Sequence, residues 1–105
     1  MINKTIVDYQ KQLEEIDKDL GRPKDYTSML ILAIVEEVGE MARAYLTKWG
    51  RKPNNLRAQK DEGYKQELGD IMLAIMKLAS LKKIDLDKQI QYSLNKIKKR
   101  KRLFH

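Results

Sequence analysis

Two stretches decide the fold: Ile34-Val35-Glu36-Glu37-Val38-Gly39-Glu40-Met41-Ala42, set in the apolar run 29–46, and Gln66-Glu67-Leu68-Gly69-Asp70-Ile71-Met72-Leu73-Ala74. Each places two carboxylates three residues apart, and so on one face of a helix. At about 100° per residue, Leu30, Ala33, Met41 and Ala44 fall within roughly 40° of Glu37, which therefore points into packed surface. Glu40 lies about 60° to one side, at the apolar boundary, and Glu36 about 100° round, on the polar side. Measured from Asp70, Glu67 sits at about 60°, between Ala74 and Leu78, on the face that also carries Ile71 and Ile75. Four carboxylates in or beside a dry core are prohibitively unfavourable unless a cation compensates them.

Outward from these stretches the chain divides into helices. Ile6, Tyr9, Leu13, Ile16 and Leu20 recur at steps of three and four, which predicts a first helix over residues 3–20 with Gly21 as its cap and Pro23 as its stop. Asp25 or Thr27 caps a second helix that runs to about Lys48, apolar all round in its first half and hence central. Residues 49–55, with Gly50, Pro53, Asn54 and Asn55, are expected to form a loop, basic and long enough to matter functionally. A third helix is expected to begin between Asn55 and Asp61 and to end near Leu81, and Asp85 caps a fourth through Leu86, Ile90, Leu94 and Ile97. Gly39 and Gly69 inside helices cost about 1 kcal/mol each relative to Ala, for which close helix approach is the expected reason. The predicted architecture is an all-α, four-helix-type bundle over residues 1–105, a single domain. Its second and third helices are antiparallel, so that Glu37 and Glu40 face Glu67 and Asp70.

Composition narrows the function. With 105 residues a single core is adequate but not generous, and oligomerisation is a common way for so small a chain to gain burial. The absence of cysteine excludes disulfides and thiolate metal sites. The longest apolar run, residues 29–35, is too short to span a bilayer, and Asp8, Glu14 and Glu15 interrupt any signal peptide, so no membrane and a cytoplasmic location are expected. The net charge of +7 belongs to residues 82–105, which carry nine Lys/Arg against two Asp, while the rest balances at thirteen against thirteen. Basic character thus marks one terminal segment, concentrated at residues 96–102, and does not by itself argue for nucleic acid. Alternating aromatics that would support single-strand binding are missing there.

An all-oxygen site suits Mg²⁺ or Mn²⁺. Di-iron bundles need Glu-x-x-His on two helices, and the lone histidine here is His105, which also disfavours zinc. On a bundle, such an ion with open positions commonly holds phosphates. The paired motifs Glu37-Val38-Gly39-Glu40 and Glu67-Leu68-Gly69-Asp70, with the phrases around them and their spacing, resemble the ExxE and ExxD motifs of the MazG-like all-α nucleoside triphosphate pyrophosphohydrolases over roughly residues 27–100. The resemblance implies hydrolysis of an NTP or dNTP to the monophosphate and pyrophosphate in nucleotide-pool housekeeping, with Mg²⁺ bound by Glu37, Glu40, Glu67 and Asp70. It makes Glu36 and Glu37 catalytic, Glu36 orienting either water or a second ion. It implies a dimer or dimer of dimers, and it points to Asn95, Lys96 and Arg100 on the last helix as phosphate and sugar contacts, although a Lys expected there falls on Ser93 in some registers.

Trp49 either stacks on a nucleobase or closes the end of the bundle, with packing favoured. Tyr45 and Tyr64 lie on apolar faces and are expected in the core or at a subunit interface. Two rivals stand beside the enzyme: a nucleotide- and metal-binding module with little turnover, and a basic helical nucleic-acid-binding protein in which the acids are structural.

Overall fold

The computed structural model describes residues 5–49 and 63–103, with side chains over 5–46 and 63–102. Among them are four helices: α1 (Ile6–Asp17), α2 (Tyr26–Trp49), α3 (Tyr64–Leu81) and α4 (Leu86–Leu103). The all-helical expectation holds, and the differences lie at the helix ends.

Thr5 opens α1 with a capping box: its hydroxyl accepts from the Asp8 amide at 3.3 Å, and the Asp8 carboxylate accepts from the Thr5 amide at 2.9 Å. The helix ends three residues short of the expected Leu20, because the Leu20 amide turns back to the Asp17 carbonyl at 2.9 Å. Asp25 rather than Thr27 takes the cap position of α2, its carbonyl accepting from the Met29 amide at 3.2 Å. Gly63, extended at φ −63° and ψ 154°, precedes α3. Trp49, expected in the loop at 49–55, instead ends α2, and the rest of that loop and the expected start of α3 between Asn55 and Asp61 lie outside the described residues. At the other end Lys83 adopts φ 55°, and the bonds Lys83 N–H to Ser80 C=O and Ile84 N–H to Ala79 C=O form a Schellman closure. The Asp85 carboxylate accepts from the Lys88 amide at 3.1 Å, the N-cap expected for α4.

α2 and α3 form the main packed pair, and α1 leans on α3. The pair is antiparallel: Tyr45 near the end of α2 meets Tyr64 at the start of α3 edge-to-face, with ring centroids 5.3 Å apart. Both tyrosines thus serve the packing of this pair, Tyr45 remaining partly exposed. The Gln10 side chain donates to the Met76 carbonyl at 3.1 Å and Lys77 pairs with Asp17 at 2.6 Å, which fixes α1 across α3. Leu30, Ala44, Met76 and Ala79 are the buried apolar residues among those described. Ile31, Leu32, Val35 and Val38 of α2 and Leu68 and Met72 of α3 remain exposed.

α4 behaves differently. It packs along none of the other three helices, and residues 87–102 are exposed throughout. The expected reason for the helical glycines is also corrected: among the described residues a Cβ at Gly39 or Gly69 would meet nothing within 4 Å, so none of the four helices packs closely on either.

Candidate metal centre

Helix geometry sets the site. Glu37 of α2 and Glu67 and Asp70 of α3 meet where the antiparallel pair crosses, with one carboxylate oxygen of each within 4.8 Å of the others. The i, i+3 step on α3 turns Glu67 and Asp70 to neighbouring positions on the face that packs against α2. Glu67 is the most enclosed of the acids, 2 % exposed, while Glu37 and Asp70 are half-buried.

Crowding and burial act together on Glu67. A hydrogen bond shared with the Glu37 side chain, loss of solvent, and the negative charges of Glu37, Glu40 and Asp70 push its carboxyl from 4.5 up to about 8. Glu37 Oε2 and Glu67 Oε2 are nevertheless buried with no hydrogen-bond partner. A buried acceptor left unsatisfied costs about 1–3 kcal/mol, more when charged. A hard divalent cation among these oxygens answers both the charge and the missing partners, and a donor set made only of carboxylates fits Mg²⁺ or Mn²⁺.

The remaining expected site residues are distributed unevenly. Glu40 is half-buried and contributes its charge at Glu67, but it stands outside the tight group of three. Glu36 is exposed on α2, as its angle on the helix predicts. Asn95, Lys96 and Arg100 are exposed on α4, where Asn95 accepts from Gln91 at 3.1 Å and the Lys96 ammonium stands 5.5 Å from the Tyr92 ring centroid. No described α4 residue lines the cleft beside Glu37 and Asp70, so this chain does not bring those three to the acids. Trp49 is the last residue of α2, and its side chain lies outside those described.

Two residues that sequence reasoning passed over belong to the surroundings of the site. Lys77 lines the same cleft as Glu37 and Asp70, and its ion pair with Asp17 holds it there. That hydrogen bond to Asp17 is the main cause that raises the Lys77 pKa above 10.5. The signal for Lys77 was present: it is the lone charge in residues 71–81. Nothing local marks Asp17 as its partner, sixty residues earlier.

Comparison with known proteins agrees with this geometry. The family model described as "MazG nucleotide pyrophosphohydrolase domain" matches residues 26–104, which include every acid of the cluster. The chain is also 30% identical over 90 residues to "Uncharacterized protein YpjD" of Bacillus subtilis (strain 168), covering 83% of this chain and 78% of that protein. With the paired acidic motifs meeting across two antiparallel helices inside the matched span, the chain belongs to the MazG nucleotide pyrophosphohydrolase domain family.

Proposed function

We propose that the protein hydrolyses a nucleoside or deoxynucleoside triphosphate to the monophosphate and pyrophosphate. In this reading water attacks the α-phosphorus, the bond from that phosphorus to the bridging oxygen breaks, and pyrophosphate leaves. Glu37, Glu40, Glu67 and Asp70 hold the divalent cation, Mg²⁺ or Mn²⁺. When bound, such an ion neutralises the triphosphate and lowers the pKa of a coordinated water. Glu36 and Glu37 are the catalytic acids in this reading, Glu36 orienting the water or a second ion. The observation that carries the reading is the buried Glu67, its Oε2 without a hydrogen-bond partner, beside Glu37 and Asp70.

The working unit in this proposal is a homodimer or homotetramer in the cytoplasm, with each chain a single domain that ends in a basic helix at 96–102. Leu32, Val35 and Gly39 form an exposed stripe at helical spacing on α2, and Ile90, Leu94 and Ile97 form another on α4. A Cβ-free Gly39 amid exposed apolar side chains suits the close approach of a helix from a second copy. Such an assembly would carry Asn95, Lys96 and Arg100 of one copy toward the cleft of another, and would let Trp49 meet a base.

The test is a panel of canonical and modified NTPs and dNTPs assayed for pyrophosphate with Mg²⁺ and with Mn²⁺. Release from at least one member is expected. A folded, metal-loaded protein that leaves every member intact sinks the proposal. Thermal stabilisation by nucleotide without product would mark a binding module instead, and salt-sensitive binding of DNA or RNA lost on deleting 96–102 would mark a nucleic-acid protein.

A further inference from the structure

The cleft that holds the acids also holds a fixed cation. Leu13 of α1, Leu30 and Ala33 of α2, and Leu73 and Ala74 of α3 give it apolar walls and a volume of about 380 Å³, with Glu37, Asp70 and Lys77 as its charged lining. Asp70 and Lys77 are seven residues apart on α3, which is two turns, about 10 Å along the axis and nearly the same face. That span is comparable to the reach of a nucleotide from its α-phosphate to the outer edge of its base. The small side chains Ala33 and Ala74 leave the width between the two ends.

Lys77 is held, not loose. Its ammonium donates to Asp17 Oδ2 at 2.6 Å, and Tyr26, which adds to the upward shift of its pKa, lies under the Arg22 guanidinium at 5.4 Å. Asp17 lines two hollows, one around residues 20–23 that Tyr26 also lines and one at the end of α3, and Lys77 stands between the latter and the acidic cleft, lining both. An ammonium has three N–H donors and no acceptor, so the pairing with Asp17 leaves donors for an occupant of the cleft. Pairing with Asp17 offsets the charge of Lys77, and two helical turns separate it from the acids. Both facts make it a poor triphosphate ligand and a suitable hydrogen-bond donor.

We propose that Lys77 is a specificity-determining residue that reads the outer edge of the nucleobase, and that the substrate class is nucleotides with a carbonyl at that edge. Uracil, thymine and guanine present an acceptor there; cytosine and adenine present an amino group whose hydrogens would face the ammonium. This rests on the pyrophosphohydrolase reading and adds the base class to it. Apolar walls leave the remainder of the base to packing, so discrimination concentrates on the one polar contact.

The experiment measures kcat/KM for dUTP, dTTP, dGTP, dCTP and dATP with Mg²⁺ in the intact protein and in Lys77→Met and Lys77→Gln. The carbonyl-bearing bases are expected to exceed the amino-bearing ones by about 10- to 100-fold, the worth of one charge-assisted hydrogen bond. Lys77→Met should bring that ratio close to one. Lys77→Gln, which offers an acceptor as well as donors, should also relax it. A native ratio near one, a ratio that survives in Lys77→Met, or equal losses on all five nucleotides overturns the role of Lys77. If Lys77→Met does not fold, the native ratio and Lys77→Gln decide. If none of the five is turned over, thermal shifts with the same nucleotides and Mg²⁺ read base selection by binding alone: a larger shift with the carbonyl-bearing bases supports the role of Lys77, and equal shifts overturn it, while the enzymatic reading is decided by the wider panel.

Discussion

The α2–α3 pair and α4 carry the same kind of helical periodicity, yet among the described residues only the pair is packed together. Leu30, Ala44, Met76 and Ala79 are buried between or beside α2 and α3, whereas Ile90, Leu94 and Ile97 of α4 stay exposed at 40 %, 45 % and 59 %. Periodicity defines a face and says nothing of what covers it. The second difference is electrical. The packed pair gathers three acids within 4.8 Å at its centre, and α4 spreads Arg100, Lys101 and Arg102 over its last turn, where they suit the helix dipole in solvent. Charge that is buried needs an ion or a proton to tolerate it, and charge that is exposed needs neither.

The strongest way to break this contrast is to remove one buried acid. Glu37→Gln and Asp70→Asn are each expected to lower pyrophosphate release by at least about 100-fold with helix content by circular dichroism unchanged. The matched change on the exposed helix, Lys98→Gln, should alter it less than about threefold at physiological salt, because an isolated surface charge is screened. Equal effects at both sites would show that the acidic cluster is not the reacting centre.

Next in size is the response to pH. Folding pushes the Glu67 carboxyl up from 4.5 to about 8, so the native state holds a proton that the unfolded chain releases. The corresponding stabilisation is complete below pH 4.5 and is lost as pH rises to about 8. Metal-free protein should therefore melt at a progressively lower temperature between pH 5 and 8. Mg²⁺, whose binding to the carboxylates releases that proton, should raise the melting temperature most at the alkaline end. Glu67→Gln carries no titrating group and should flatten both trends. A metal-free melting temperature independent of pH over this window would contradict the burial and crowding that set the shift.

Much of this site could be seen in the amino-acid order. The 3.6-residue period places Glu37 toward packed surface and Glu36 away from it, and burial follows that order. Glu67 was harder: its angle put it beside the apolar centre, but it became the most buried acid because α2 crosses directly over it, a fact of tertiary packing. Glu40 shows the same limit in reverse, since a boundary position left it near the cluster without joining the tight group. The capping box at Thr5 and Asp8 is local and legible in the sequence, and it starts α1 at Ile6, where the apolar seam alone puts the start at residue 3. Asp17 and Lys77 could not be paired from spacing, because the crossing of α1 over α3 is set by residues far apart in the chain. Gly39 and Gly69 mislead for a related reason: a helical glycine signals room for something, and none of the described residues fills that room.

Replacing apolar residues sharpens the comparison further. Leu30, 8 % exposed in the packed pair, should cost about 2–4 kcal/mol on substitution by Ala, measured by denaturant titration. Leu94→Ala on α4 should cost less than about 0.5 kcal/mol in dilute protein, where nothing covers it. If a second copy covers α4, the Leu94→Ala penalty grows with protein concentration and sedimentation shows weaker association.

The smallest expected effect lies at Lys83, between α3 and α4. Its φ of 55° places a residue with a Cβ in the left-handed region, at the position of a Schellman closure that glycine ordinarily fills. Left-handed backbone costs a non-glycine residue about 1–2 kcal/mol, while glycine gives up about 0.5–1 kcal/mol in unfolded-state entropy. Lys83→Gly is therefore expected to stabilise the chain by roughly 0.5–1 kcal/mol, a rise of a few degrees in melting temperature. The gain should be the same with and without Mg²⁺, because the residue touches the turn and not the acids. A loss of stability would mean that the Lys83 side chain, which lines the hollow with Arg22 and Lys77, contributes more to joining α1 and α3 than its backbone costs.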